Sequence, residues 1–261
     1  MARSSFYYKP VDRSVRIAAD AGVVDQLRKI AQRWPQYGYR RMAAALRAGG
    51  TVVNHKRLLR LMRESGLTVR PRRRYVRTTN SDHPFPIARN LYATVVPTAV
   101  NQLWVSDITY IGVRDGGFVY LAVILDAWSR KVVGYGLGRQ IDTRLTLAAL
   151  RAAVANRSPA PGCIHHSDRG VQYAAHDYRR ELAKHGLVCS MSRRGNPYDN
   201  PMAESFMKTL KVEEVYQTEY ECFDDVARAV PRFIEEIYND ERLHSALGYC
   251  SPTNYELRPA A

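Results

Sequence analysis

Apolar residues recur at helical spacing near the start of the chain. Val23, Leu27, Ile30 and Ala31 mark a helix over residues 22–34. YRRMAAALRA predicts a second, from about Tyr39 to Ala48, ended by Gly49-Gly50. Asn54 is a ready N-cap for a third, HKRLLRLMRESG, which Gly66 closes. On that third helix Leu58, Leu61 and Met62 form an inward stripe, while Lys56, Arg60 and Arg63 fall at i, i+4 and i+7 on another face. Two short helices joined by a Gly-containing turn, the second basic, predict a helix-turn-helix. From Leu103 the pattern shortens. LWVSDITYIGV, GGFVYLAVILDAW and KVVGYGLG are β-rich runs with short turns, which predict three strands in a meander. Asp142 can cap a helix through TRLTLAALRAAVAN. CIHHSD then predicts a short buried strand, HDYRRELAKHG a helix and LVCSMS another strand, and two long helices finish the chain. The fold class expected is α/β, a mixed five-stranded sheet with flanking helices, preceded by a small all-α helix-turn-helix domain.

Charge sharpens this division. Of the net +14, residues 1–90 carry 20 basic and 5 acidic side chains, a net of +15; residues 91–261 carry 19 basic and 20 acidic, a net of −1. The excess is what a polyanion-binding module joined to a near-neutral body produces. Arg70 to Arg77, RPRRRYVR, is followed by TTNSDHPFP, a linker composition in which Arg72, Arg73, Arg74 and Arg77 can track phosphates without reading bases. The expected boundaries are a helical domain over 1–68, a basic linker over 69–95 and an α/β domain over 96–261. Lys56, Arg57, Arg60 and Arg63 join the linker arginines as candidate DNA contacts.

Cys163, Cys189, Cys222 and Cys250 form no C-x-x-C pair, so neither a disulfide framework nor a Cys-rich zinc site is expected. The start, MARSSFYYKP, lacks the apolar core of a signal peptide, and the longest apolar run, Phe118 to Leu125, stops at Asp126. A cytoplasmic protein with no membrane partner is expected.

Three carboxylates lie where such a fold gathers side chains. Asp107 is inside the first strand, Asp168 ends CIHHSD, and Glu204 follows NPYDNPMA, with Asn200 as a natural N-cap and Pro201 as a natural first helical residue. On that helix Ala203, Phe206, Met207 and Leu210 face inward, and Glu204, Lys208 and Lys211 line the adjacent face at i, i+4 and i+7. Alone, this would be an ordinary salt-bridge face. With two further carboxylates it suits a site that takes both a cation and a phosphate backbone. Metal-dependent phosphodiester chemistry needs hard oxygen ligands, and carboxylates on separate elements can hold two ions about 3.5–4 Å apart. Mg²⁺ fits such a site, with Mn²⁺ as a substitute.

LWVSDITYI, HHSDRG and GNPYDNPMAESFMKTLK together resemble the motifs of the Asp-Asp-Glu transposases and retroviral integrases, and most closely the OrfB-type transposases of the insertion-sequence-three family. The 35 residues from 169 to 203 match that family's spacing, Lys211 matches its basic position seven after the Glu, and Tyr238 to Glu256 resembles its C-terminal signature. The resemblance implies a ribonuclease H-like catalytic core with Asp107, Asp168 and Glu204 as catalytic metal ligands for two ions. It implies Mg²⁺-dependent cleavage at transposon ends followed by strand transfer to target DNA, with Lys211 positioning the terminal DNA; Lys208, beside it on the helix face, is a further candidate DNA contact. The partners implied are the element's terminal inverted repeats, target DNA, further copies of the chain, and an upstream-frame OrfA protein or fusion, in a bacterial, nucleoid-associated setting. Two alternatives stay open: a ribonuclease H-like nuclease that does not join strands, and a non-catalytic DNA-binding protein derived from a transposase.

Other polar residues have plainer readings. Asp126 is expected to fix a turn with Ser129. His165 and His166 alternate along a strand and point to opposite faces, so only His166 is a candidate to line the site and joint zinc ligation is not expected. Asn196 and Asn200 are further candidates to line it. Tyr198, Asp199 and Asn200 are expected to shape the loop before the helix. Trp104 belongs to the core, and Arg242 and His244 are read either as structural or as DNA-contacting.

Overall fold

A computed structural model describes residues 13–69, 85–193, 196 and 199–258. The chain divides into two compact units, Met1–Arg73 and Arg74–Ala261.

In the first unit, α1 (Arg13–Arg33), α2 (Tyr39–Ala48) and α3 (His55–Glu64) enclose Leu27, Tyr37, Met42, Leu46, Leu58, Leu61 and Met62. Helix α1 begins well before the periodicity suggested. Gly22 looks like a boundary, but a glycine inside a helix costs only about 1 kcal/mol and the helix runs through it. The expected stops are present. Gly50 takes φ +82° as the chain turns, with the Thr51 N–H donating to the Leu46 carbonyl at 2.8 Å. Asn54 caps α3 by accepting from the Lys56 N–H at 2.9 Å. Gly66, at φ +68°, follows its end.

In the second unit, β1 (Leu103–Gly112), β2 (Phe118–Asp126) and β3 (Val132–Gly138) form the expected antiparallel meander. Strands β4 (Ile164–Ser167) and β5 (Val188–Met191) add in parallel, giving the order β3-β2-β1-β4-β5. Helices α4 (Thr143–Arg157), α5 (Val171–Ala174) and α6 (His176–Lys184) cover one face, where Trp104, Ala122, Ile124, Leu145, Leu150 and Tyr178 pack. Asp142 caps α4 through the Leu145 N–H at 3.0 Å. The opposite face is covered by α7 (Pro201–Leu210), continued by wider π-type turns over Lys211–Val215, and by α8 (Phe223–Arg232), continued likewise over Phe233–Glu241. There Leu103, Val105, Val123 and Leu125 meet Ala203, Phe206, Leu210, Val230 and Tyr238. The two long helices are therefore the second layer of the core. The short α5 and a C-terminal α9 (Pro252–Glu256) lack the length to show in a periodicity.

Polar groups lock the edges. Asn239 exchanges two 2.9 Å bonds with the backbone of Val132, standing in for a neighbouring strand at the sheet edge. Arg157 grips Glu256 through two bonds of 2.8 and 2.9 Å, tying α9 to α4. Asp126 accepts from the N–H groups of Trp128, Ser129 and Asn101, the turn role expected of it. Trp104 is fully buried.

Candidate active site

The β1–β4 ladder pairs Leu103 with Ile164, Trp104 with His165 and Val105 with His166, and then stops. Two residues further along each strand direction stand Asp107 and Asp168. Asp107 shares its alternation with Leu103 and Val105, the residues that pack on the α7 face. Beyond the ladder, side chains take over the linkage. Ser106 Oγ donates to the His166 carbonyl at 3.3 Å, and the Ser106 carbonyl accepts from Asn200 Nδ2 at 2.9 Å. Asn200 sits at the N-cap position of α7, yet its side chain makes no cap bond. Sequence suggested a cap; the amide is used instead to fasten the helix to β1. One turn on, the Glu204 N–H donates to the Asn200 carbonyl at 3.2 Å, so the same residue places both Glu204 and the segment around Asp107.

These carboxyl groups lie near enough to repel one another. Burial, then the charge of Asp168 and to a lesser degree that of Glu204, push the Asp107 carboxyl up to about 8, against a bond from the Ile108 N–H and the attraction of Lys211. Desolvation raises Glu204 and lowers Lys211, the latter opposed by Asp107. Asp168 accepts from the Gly170 N–H at 2.9 Å. A Cβ at Gly170 would lie 2.9 Å from the same carboxylate oxygen, which explains the glycine. Among the described residues, no three His, Cys, Asp or Glu side chains are drawn close enough to hold one metal ion. The donor chemistry nevertheless fits a hard divalent cation. All three groups are carboxylates, they repel one another, and the Oδ1 of Asn200 beside them is buried without a hydrogen-bond partner.

The loop before α7 is anchored by Asp199. It accepts three bonds of 2.7–3.0 Å from the backbone and guanidinium of Arg193 and one of 3.0 Å from Asn196 Nδ2. The Arg193 guanidinium holds the Asp199 carboxyl down at about 2. Asn196 thus contributes to the loop, and Tyr198 lies outside the described residues. The two histidines do point to opposite faces. His165 meets the Tyr178 hydroxyl at 3.0 Å on the α6 side, while His166 contacts Ser190 Oγ at 2.8 Å and Ser192 Oγ at 3.0 Å and lies 5.0 Å, ring to ring and tilted, from Tyr92. Both ring nitrogens of His166 face serines, and its link towards Asp107 runs through its carbonyl and Ser106. Burial lowers it to about 4, the neutral form at ordinary pH.

Lys208 is exposed, and the Lys211 ammonium lies 4.8 Å from the centroid of the Tyr110 ring. In the signature near the C-terminus, Arg242 is buried and clasps Glu213 with two bonds of 2.7 Å, a structural placement. His244 is buried too, edge-on to Tyr238. In the first unit, Lys56 and Arg63 are exposed. Arg57 and Arg60 bind the buried Asp20 of α1 at 2.7 and 2.6 Å, and chiefly the Arg60 bond lowers the Asp20 carboxyl. Arg72, Arg73, Arg74 and Arg77 lie outside the described residues. Sequence reasoning passed over Ser106, Tyr110, Gly170 and Arg193. Only Gly170, a glycine two residues after a candidate carboxylate, left a visible signal.

Two stretches of the chain, residues 97–197 and 185–252, match models of the Integrase core domain, and residues 18–75 match the HTH-like domain. The class is an integrase-type core joined to a helix-turn-helix-like module. The insertion element IS600 31 kDa protein of Shigella sonnei is 42% identical over 84% of this chain and 80% of its own length. The transposase for IS904 of Lactococcus lactis is 36% identical over 85% and 87%, and the InsF transposase for IS3A of Escherichia coli is 36% identical over 85% and 77%. The chain belongs to the insertion-sequence-three family of OrfB-type transposases. Its fold is ribonuclease H-like: a chain of the simian T-cell lymphotropic virus intasome superposes at TM-score 0.52 with 16% identity, over 90% of this chain and 75% of that one. Among the described residues no helix is long and apolar enough to cross a membrane.

Proposed function

We propose that this chain is a DNA transposase that cuts at the ends of its element and joins the freed 3′-hydroxyl to target DNA by transesterification. The observation that carries the reading is that Asp107 and Asp168 stand just past the end of the β1–β4 ladder, within electrostatic reach of Glu204, with α7 fastened to β1 by Asn200. Asp107, Asp168 and Glu204 would hold divalent metal, Mg²⁺ or Mn²⁺, as two ions. When bound, such ions activate the attacking oxygen and stabilise the leaving one. The chain's own part is to hold three hard donors on separate elements and to keep Asp107 desolvated until a cation offsets its charge. Lys208 and Lys211 supply positive charge to the approaching backbone, and Lys56, Arg63 and the basic run over 70–77 supply contacts to the element's ends. Arg57 and Arg60, engaged by Asp20, are assigned first to holding α3 against α1.

The division proposed is the one expected from the sequence, a helical DNA-binding module over 1–68, a basic linker over 69–95 and an integrase core over 96–261; the HTH-like match over 18–75 and the Integrase core match from 97 support it. Further copies of the chain would synapse two ends, and an upstream-frame OrfA protein would add end recognition. The test is a pre-cut, end-labelled terminal repeat incubated with target DNA and Mg²⁺. Labelled target is the expected product. Hydrolysis without joining would favour a nuclease, and binding without either reaction a DNA-binding derivative.

A further inference from the structure

Strand β1 outruns its parallel neighbour. Its ladder with β4 ends at Val105, whereas its ladder with β2 continues to Gly112. Residues 107–112 are therefore an overhang with β2 on one side, and Asp107 stands at its start. Three residues on, Tyr110 presents a ring whose centroid is 4.8 Å from the Lys211 ammonium. The Tyr110 ring is itself buttressed. Phe118, paired with Gly112 across the ladder, meets Tyr110 edge-to-face at 5.2 Å and 87°. Phe118 is half exposed, and its ring passes 3.9 Å from where a Cβ on Gly112 would sit.

An aromatic face differs from a carboxylate as a partner for lysine. It attracts the ammonium through the ring quadrupole without neutralising it, and it leaves the N–H groups free. A lysine held by Asp or Glu would be fixed but cancelled as an anion ligand. Held over Tyr110, it is restrained by a partner that carries no neutralising charge, although Asp107 also attracts it at longer range. Lys211 is also the first residue after α7, so its backbone is already fixed by the helix that carries Glu204.

We propose that Tyr110, backed by Phe118, is a positioning residue that holds the Lys211 ammonium over the β1 overhang and presents it to a phosphate of the bound DNA end. The proposal rests on the transposase reading and adds a second requirement to it. Pre-organising the lysine lowers the ordering cost of binding, so its loss belongs in KM for DNA.

The test uses the full chain and a pre-cut duplex end in a strand-transfer assay that separates KM from kcat. Tyr110→Leu is expected to raise KM about three- to tenfold, with kcat within about twofold. Tyr110→Phe, which keeps the ring, should retain the original KM. Lys211→Met should raise KM at least as far, and adding Tyr110→Leu to it should change nothing more. An unchanged KM in Tyr110→Leu, or full addition of the two effects, overturns the proposal. Should the leucine variant not fold, NMR of the unaltered protein decides. Lysine ε-proton resonances shifted upfield by a ring, and absent from Lys211→Met, support the contact; their absence overturns it. An Asp107→Asn arm separates the two levels: turnover in that variant removes the carboxylate reading, while the Tyr110–Lys211 contact is read by NMR without any turnover.

Discussion

Asn200 Nδ2 donates to the Ser106 carbonyl at 2.9 Å, and this bond joins the first residue of the α7 cap to the residue before Asp107. It lies where β1 and β4 have ceased to pair, so no ladder bond duplicates it. Replacing Asn200 by Ala leaves a buried carbonyl without its donor and lets α7 shift against β1. A stability loss of about 1–2 kcal/mol is expected in denaturant unfolding. Cleavage at a terminal repeat should fall at least about tenfold, since a small misplacement of reacting groups is costly. Asn200→Asp should be worse, because a carboxylate would face the carbonyl.

Gly170 gives a prediction that separates geometry from stability. A methyl group there would come within 2.9 Å of Asp168 Oδ1 and 3.1 Å of Gln172 Oε1, both of them side-chain ends that can turn away. Gly170→Ala should therefore fold, with stability changed by no more than about 1 kcal/mol, while the Asp168 carboxylate is displaced and strand cleavage drops sharply. Thermal unfolding and end cleavage, measured on the same preparation, check both halves.

The buried Arg242 and the largely enclosed Glu213 make a bidentate pair. Removing the arginine alone strands a carboxylate in a desolvated place, so Arg242→Ala should cost about 3–5 kcal/mol, whereas replacing both partners by apolar residues should recover much of it. DNA binding by the double variant at a temperature where it is folded should match the original. A selective loss of binding there would reassign Arg242 to the DNA.

The Asp107 carboxyl, pushed up to about 8, sets a pH signature. Its folded pKa lies above the unfolded value near 3.8, so the folded state binds the extra proton between these limits. Its contribution is fully present below the unfolded pKa and is lost as pH rises through about 8. In the presence of a chelator, the melting temperature should fall from pH 6 to pH 8 more steeply than in Asp107→Asn. Mg²⁺ or Mn²⁺ should flatten that difference, most strongly at the higher pH, because a cation favours the ionised carboxylate. Identical slopes with and without Asp107, and with and without metal, would contradict the arrangement.

The large elements were legible because each has a strong local cause. The meander follows from three β-rich apolar runs, α4 from Asp142 and its periodic leucines, and the end of α3 from Gly66. What was not legible depends on partners far apart in sequence. Asp20 meets Arg57 and Arg60 across 37 and 40 residues, and no periodicity on α3 distinguishes those arginines from the exposed Lys56 and Arg63. Asn200 looked like a helix cap because its position and the following proline fit one. Only the packed structure shows its amide committed to Ser106, 94 residues away. The candidate carboxylates were found by motif spacing. The serines around His166 and the aromatic support of Lys211 were not, since Ser and Tyr are too common for their position alone to mark a role.

The most direct measurement of the central claim is end cleavage and joining by Asp107→Ala, Asp168→Ala and Glu204→Ala beside the unaltered chain, with Mg²⁺ and a labelled terminal repeat, alongside a binding assay of the same DNA. Each variant should bind the end, and none should cut or join it. Near-normal cleavage by any of the three, Glu204→Ala above all, would contradict the carboxylate assignment.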